Sequence, residues 1–245
     1  MIYVMGAGPG RADLLTVRAA RLLAKADVVL YDRLVSSEVL EMVSPGAVVR
    51  AVGKEEGRQE EIQSEIHELL DQYARAYGPQ AVIVRLKGGD PMIFGRGAEE
   101  WHELAQRGHE VELVPGISSS IAVPSLAGIP PTFRGLATGF AVVTGHTREG
   151  FPEDLKRYAQ VDTLIVLMGV KHRARIAETL IAAGRSASEP AAFIENGTTP
   201  RERVVETTLG ELGRADVASP AVLVIGAVVR LREQLVPLVA AMAAA

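Results

Sequence analysis

The sequence predicts an α/β protein of two domains, each built around its own sheet. Three observations carry this. Short β-branched runs alternate with amphipathic stretches through the first half. After residue 147 the strand-like runs crowd together with one helical stretch among them. Small, acidic or glycine-rich residues recur just after the strands. The expected division is 1–146, an N-terminal α/β domain with a largely parallel sheet, and 147–245, a C-terminal α/β domain with a mixed sheet.

Each element has its own signal. Ile2–Gly6 (IYVMG) reads as a strand, and Asp13–Ala26 as a helix that Asp13 can cap. Val28–Tyr31 is the next strand. In Arg58–Tyr77 the residues Ile62, Ile66, Leu69, Leu70 and Tyr73 share one helical face. Ala81–Arg85 (AVIVR) reads as a buried strand, followed by a helix from about Gly97 to Arg107 and a strand at Val111–Val114. Thr138–His146 closes the first domain. Beyond it, TLIVLMG, AAFIENGTT, RERVVETTL and PAVLVIGAVV read as strands, and Lys171–Gly184 as a helix. Ala191–Glu195 and Arg201–Thr208, joined across Asn196-Gly197, suggest a hairpin and hence a mixed sheet.

Composition excludes several functions. The chain has 245 residues, 48% hydrophobic and 23% charged, as in soluble globular proteins; its longest apolar runs, such as Ala221–Val229, are too short to cross a bilayer. It opens directly on a strand, which leaves no room for a signal peptide, so a cytoplasmic location is expected. The absence of cysteine removes disulfides, thiolate metal sites and thiol nucleophiles. His67, His102, His109, His146 and His172 lack ligand spacing, so no metal is expected. A net charge of −4 argues against a general nucleic-acid binder. The excess of 21 Arg over 5 Lys fits a compositional bias as well as it fits anion binding. There is no GxSxG elbow and no GxxxxGK[ST] loop.

The strand tips carry the chemistry. In Leu86–Gly97 (LKGGDPMIFGRG), Gly88-Gly89 permits φ > 0 and close approach, and Pro91 biases Asp90 toward extended backbone. Either a strand-to-helix turn or a ligand cradle would use these residues. The bend Gly6–Thr16 fits a dinucleotide fingerprint poorly, because Arg11 stands where the third glycine belongs and Pro9 lacks an N–H. Asp32 and Arg33 end one strand and Lys54 another; Asp32 equally suits a helix cap. Ser118–Ser120 opens a helix with hydroxyls that bind a ligand or cap it. Met168-Gly169 and Glu195–Thr198 end later strands.

In order, VMGAGPGRADLLT, YDRLVS, VGK, VRLKGGDPMIFGRGAEE, LVPGISSS…AGIPPT and VVTGH resemble the uroporphyrinogen-III C-methyltransferases, within the wider tetrapyrrole methyltransferase family. LMG, PAAFIENGTTPRERVVETTL and SPAVLVIGAVV extend the resemblance over nearly the whole chain. It implies a homodimer of two α/β domains with S-adenosyl-L-methionine in the cleft between them. It also implies methylation of uroporphyrinogen III at two pyrrole carbons, giving precorrin-2 via precorrin-1 and S-adenosyl-L-homocysteine. Carried over by position, it implies cofactor contacts at Pro9, Gly88, Gly89, Asp90, Ile93, Ser118, Ser119, Met168 and Gly197. Proton-acceptor and proton-donor roles fall to Asp32 and Lys54.

A polycarboxylate substrate on an acidic chain needs a cationic wall, for which Arg11, Arg33, Arg85, Lys87, Arg96 and Arg134 are the candidates. The chain departs from the family where GISSS replaces GITSA, placing Ser118 for Thr and Ser120 for Ala. It departs again where Pro131-Thr132-Phe133-Arg134 replaces LTHR, placing Phe133 for His. No dehydrogenase or ferrochelatase module is present, so the implied product is precorrin-2.

Overall fold

A computed structural model describes residues 1–52 and 59–236. The chain forms two compact units, Met1–Ser118 and Ser119–Ala245. In the first, five parallel strands, β1 (Ile2–Gly6), β2 (Val28–Tyr31), β3 (Val48–Ala51), β4 (Ile83–Lys87) and β5 (Val111–Val114), lie in the order β3-β2-β4-β1-β5. Four helices connect them: α1 (Val17–Leu23), α2 (Ser37–Leu40), α3 (Gln59–Tyr77) and α4 (Gly97–Gln106). Helices cover both faces, so the central strands are apolar toward both sides, save for Arg85 and Lys87 in β4. Met5, Val29, Val84 and Leu86 pack with Leu23 and Val39, whereas Ile2, Leu30 and Ile83 pack with Ile66, Leu70 and Leu104.

Helix α1 starts later than the sequence suggests. Ala12–Leu14 form a single 3-10 turn, and Leu15 and Thr16 are extended, so the Thr16 hydroxyl, not Asp13, accepts from the Ala19 N–H at 3.2 Å. Asp13 pairs with Arg11 instead.

The second unit holds α5 (Ser119–Leu126), β6 (Phe140–Thr144), β7 (Thr163–Leu167), α6 (Arg173–Ala182), β8 (Pro190–Glu195), β9 (Arg203–Thr208) and β10 (Ala221–Ile225). Its five strands run β6-β7-β10-β8-β9. Only β6 and β7 are parallel neighbours, so the sheet is mixed as the sequence suggests. The expected boundary after His146 is corrected by this pairing. Phe140 to Thr144 bond in register with Thr163 to Leu167, so β6 belongs to the second sheet and the division falls at Ser118. Strand patterning reveals a strand; it does not reveal which sheet completes its hydrogen bonds.

Strands β8 and β9 form the expected hairpin, with Glu195 opposite Arg203, so the connection is longer than an Asn-Gly turn. Asn196 and Thr198 take left-handed backbone there, at φ 46° and 67°. Arg203 closes the hairpin through two hydrogen bonds to Glu195, of 2.7 and 2.9 Å. Among the described residues no helix is long and apolar enough to cross a membrane.

Candidate active site

The carboxyl ends of β1, β4 and β5 meet through bare backbone. A Cβ on Gly6 would lie 2.5 Å from the Gly116 nitrogen, and one on Gly116 would lie 2.2 Å from the Gly89 oxygen. Gly8 and Gly89, at φ +71° and +67°, exchange hydrogen bonds: the Gly89 N–H donates to the Gly8 carbonyl at 2.7 Å and the Gly8 N–H to the Gly89 carbonyl at 3.2 Å. The GAGPG bend and the GGDP loop are therefore one interlocked backbone feature. Asp90 ties it to β5, accepting from the Met92 N–H at 2.8 Å and the Gly116 N–H at 3.1 Å.

The loop then coils around Pro91. A Cβ on Gly95 or on Gly97 would come within 2.7 Å of the Pro91 oxygen. Phe94 and Arg96 alternate with these glycines at φ 53° and 61°, which leaves the Ile93 and Phe94 side chains exposed. Non-glycine residues held in left-handed backbone concentrate at functional loops. Those observed here, Phe94, Arg96, Met168, Asn196 and Thr198, all follow the carboxyl ends of β4, β7 and β8.

Beneath the loop lies a buried charge cluster. Strand alternation sends Ile83, Arg85 and Lys87 toward α3 and α4. Arg85 is 1% exposed, Lys87 3% and Glu100 fully buried. Helix α4 delivers Glu100 because Gly97, Glu100 and Leu104, spaced three and four apart, form its buried face. Glu100 Oε1 accepts from Lys87 Nζ at 2.8 Å, Gln63 Nε2 at 2.9 Å and Arg85 Nη2 at 3.2 Å. Arg85 Nη2 also donates to Asp32 Oδ1 at 2.5 Å, while Lys87 Nζ stands 3.6 Å from Asp32 Oδ2. The Asp32 side chain is 27% exposed, the one carboxylate of this cluster that reaches solvent.

The cluster balances two cations against two carboxylates, which offsets a desolvation cost that neither sign would bear alone. Burial pushes the Lys87 ammonium down, and the Arg85 guanidinium beside it pushes the same way. Burial alone would raise the Glu100 carboxyl, but Arg85 and Lys87 outweigh it and hold Glu100 below the usual carboxylate range. Burial likewise works against the Arg85 charge, and Glu100 and Asp32 overcome it.

Arg85 and Lys87 are thus no part of an exposed cationic wall. They face inward because the fold covers both sides of β4, and each is committed to carboxylates. Arg33 and Arg134 are exposed and make no ion pair among the described residues. Arg11 and Arg96 pair with Asp13 and Glu99 at the surface, contacts weak enough for a ligand to displace. Lys54 lies outside the described residues. Pro9 and Gly88 are half-buried, and a Cβ on Gly88 would press on Leu34 at 3.2 Å. Ser118 closes the first unit.

Within the second unit, Ser119 opens α5. Met168 directly follows β7, at φ 58° with its side chain exposed. Gly197 lacks a side chain for a packing reason, since a Cβ would lie 2.4 Å from Val123 Cγ1 of α5. Phe133 has an exposed ring and pairs its backbone with Ala137. Among the described residues no group of three or more potential ligands could hold a metal. Sequence reasoning missed Glu100 and Gln63; the legible signal for Glu100 was its spacing from Gly97 and Leu104 on one face of α4.

Comparison with known proteins places this geometry in context. A uroporphyrin-III C-methyl transferase from Thermus thermophilus, solved in complex with S-adenyl homocysteine, shares 47% identity and a TM-score of 0.83, over 94% of this chain and 93% of that one. The uroporphyrinogen-III C-methyltransferase of Synechocystis is 42% identical over 97% of this chain and 94% of its own length. The chloroplastic S-adenosyl-L-methionine-dependent uroporphyrinogen III methyltransferase of Arabidopsis thaliana is 43% identical. The chain spans 64% of that protein, and about half (51% and 50%) of related siroheme synthases. Residues 1–213 match the Tetrapyrrole (Corrin/Porphyrin) Methylases. The chain belongs to the tetrapyrrole methylase family.

Proposed function

We propose that this chain is an S-adenosyl-L-methionine-dependent methyltransferase that methylates uroporphyrinogen III at two pyrrole carbons, giving precorrin-2 via precorrin-1. The observation that carries this is likeness over nearly full length, at 42% identity, to a relative named for that reaction. The site agrees with it. In the first unit Pro9, Gly88, Gly89, Ile93 and Ser118 offer bare backbone, apolar surface and a hydroxyl, and in the second Ser119, Met168 and Gly197 offer the same kinds of group; each set suits part of a cofactor with an adenosine, a sulfonium-bearing chain and an amino acid end. Asp90 joins this set with both oxygens already bonded to backbone N–H groups, so it shapes the loop as well as facing a ligand.

When bound, the cofactor supplies an electrophilic methyl on a sulfonium centre. This chain's own residues position the acceptor and manage charge and protons. Asp32 has Oδ1 occupied by Arg85 and Oδ2 more open, so Oδ2 is the atom that stabilises positive charge on the porphyrinogen and accepts its proton. Lys54 is the proposed proton donor. Arg33 and Arg134 bind substrate carboxylates, joined by Arg11 and Arg96 once their surface pairs open. A homodimer in the cytoplasm completes the reading.

The test is anaerobic incubation with uroporphyrinogen III and methyl-labelled S-adenosylmethionine, followed by mass analysis. We expect a gain of two methyl groups. The Asp32→Asn variant should retain S-adenosylhomocysteine affinity and lose about a hundredfold in turnover. Label moving only onto precorrin-2 would replace the substrate assignment with a later step. Full turnover by the variant would remove Asp32 from the mechanism.

A further inference from the structure

We infer that Glu100 is a positioning residue for Asp32: it holds Lys87 off Asp32 and shares Arg85 with it, so that this carboxylate is held by one hydrogen bond instead of neutralised by both cations. The inference rests on the reading of Asp32 as the proton acceptor. Glu100 touches no solvent, so it does not meet substrate itself. Its Oε1 collects three donors, Lys87, Arg85 and Gln63, and its Oε2 has no hydrogen-bond partner among the described residues. Lys87 therefore sits 2.8 Å from Glu100 and 3.6 Å from Asp32, the order that leaves Asp32 Oδ2 open.

A buried pair or triad of charges is a costly way to gain stability, and apolar residues of similar volume would pack as well. Here the cluster ends on a partly exposed carboxylate just after β2, which gives it a functional outlet. The groups facing it are Asp32 from β2, Arg85 and Lys87 from β4, Gln63 and His67 from α3 and Glu100 from α4; Arg96, Glu103 and Arg107 act on His67 from beyond. Remove the Glu100 charge and both cations face Asp32 alone. Asp32 then resists protonation more strongly and becomes a weaker base.

The test uses Glu100→Gln and the charge-balanced double variant Lys87→Met/Glu100→Gln. The single variant should lower kcat by about tenfold to a hundredfold, with KM within about twofold, and shift the acid limb of the kcat profile to lower pH. The double variant restores one cation to one carboxylate, and should recover most of the turnover and return the limb. A purely structural role would make the double variant worse than the single and leave the limb in place. That result, or a wild-type profile for Glu100→Gln, overturns the inference.

If the wild-type protein moves no methyl from S-adenosylmethionine, the proposed reaction fails separately. The cluster is then read from the Lys87 15Nζ resonance. Loss of the Glu100 carboxylate should move the Lys87 titration to lower pH, and an unchanged titration overturns the inference.

Discussion

At the scale of the residue, this site depends on side chains that are missing as much as on those present. Gly6, Gly89 and Gly116 meet at separations that a single methyl group would violate, and the atoms in the way are backbone that cannot rotate aside. Gly116→Ala should therefore destabilise the protein by about 3 kcal/mol, read as a lower urea midpoint, and weaken S-adenosylhomocysteine binding in calorimetry. A wild-type midpoint would show that the β5 turn shifts freely. The glycines of GAGPG and GGDP were legible as bends, but their mutual contact was not, because residues 6, 89 and 116 are far apart in sequence. The inward orientation of Arg85 and Lys87 was hidden for a related reason. A cation in an apolar run reads as a strand tip until its buried counter-ion, Glu100, is known.

At the scale of the element, α3 is tied to the turn between α4 and β5. His109 Nε2 lies 2.7 Å from Asp71 Oδ1, and Arg75 donates to the same oxygen at 2.9 Å. The Arg75 and His109 hydrogen bonds hold the Asp71 carboxyl down at about 2, against an ordinary 3.8. A carboxyl depressed by folding contributes stability that is fully present above its unfolded value and is lost as pH falls through its folded value. The stability gap between wild type and Asp71→Asn should therefore be open at about pH 5 and narrow toward about pH 2.5. Asp71 is partly exposed, so the gap should be about 1 kcal/mol or less. Urea midpoints across this range check it, and a constant gap would contradict the linkage. The apolar face of α3 was legible from Ile62, Ile66 and Leu70 at helical spacing. Its polar tie to His109 was not, since it joins two elements with no shared period.

At the scale of the whole molecule, a parallel sheet and a mixed sheet share one chain, and the family match runs through residue 213. A ligand that binds the folded protein stabilises it by mass action, about 2.7 kcal/mol at a hundred times its Kd. S-adenosylhomocysteine should raise the thermal midpoint accordingly, and NAD should leave it unchanged, given Arg11 and Pro9 in the first glycine bend. A shift with NAD alone would reverse the assignment of that bend.

The sequence by itself determined the parallel first sheet, the mixed second sheet, the glycine-rich strand tips and, through its motifs, the family. These are written in local periodicity, turn chemistry and contiguous motifs, which act over a few residues. Only the tertiary structure decided that β6 joins the second sheet, that Thr16 caps α1, and that Arg85 and Lys87 turn inward to Glu100 and Asp32. Each of those depends on which distant group satisfies a buried donor, and hydrogen bonding of that kind is settled by proximity in space, not by order along the chain.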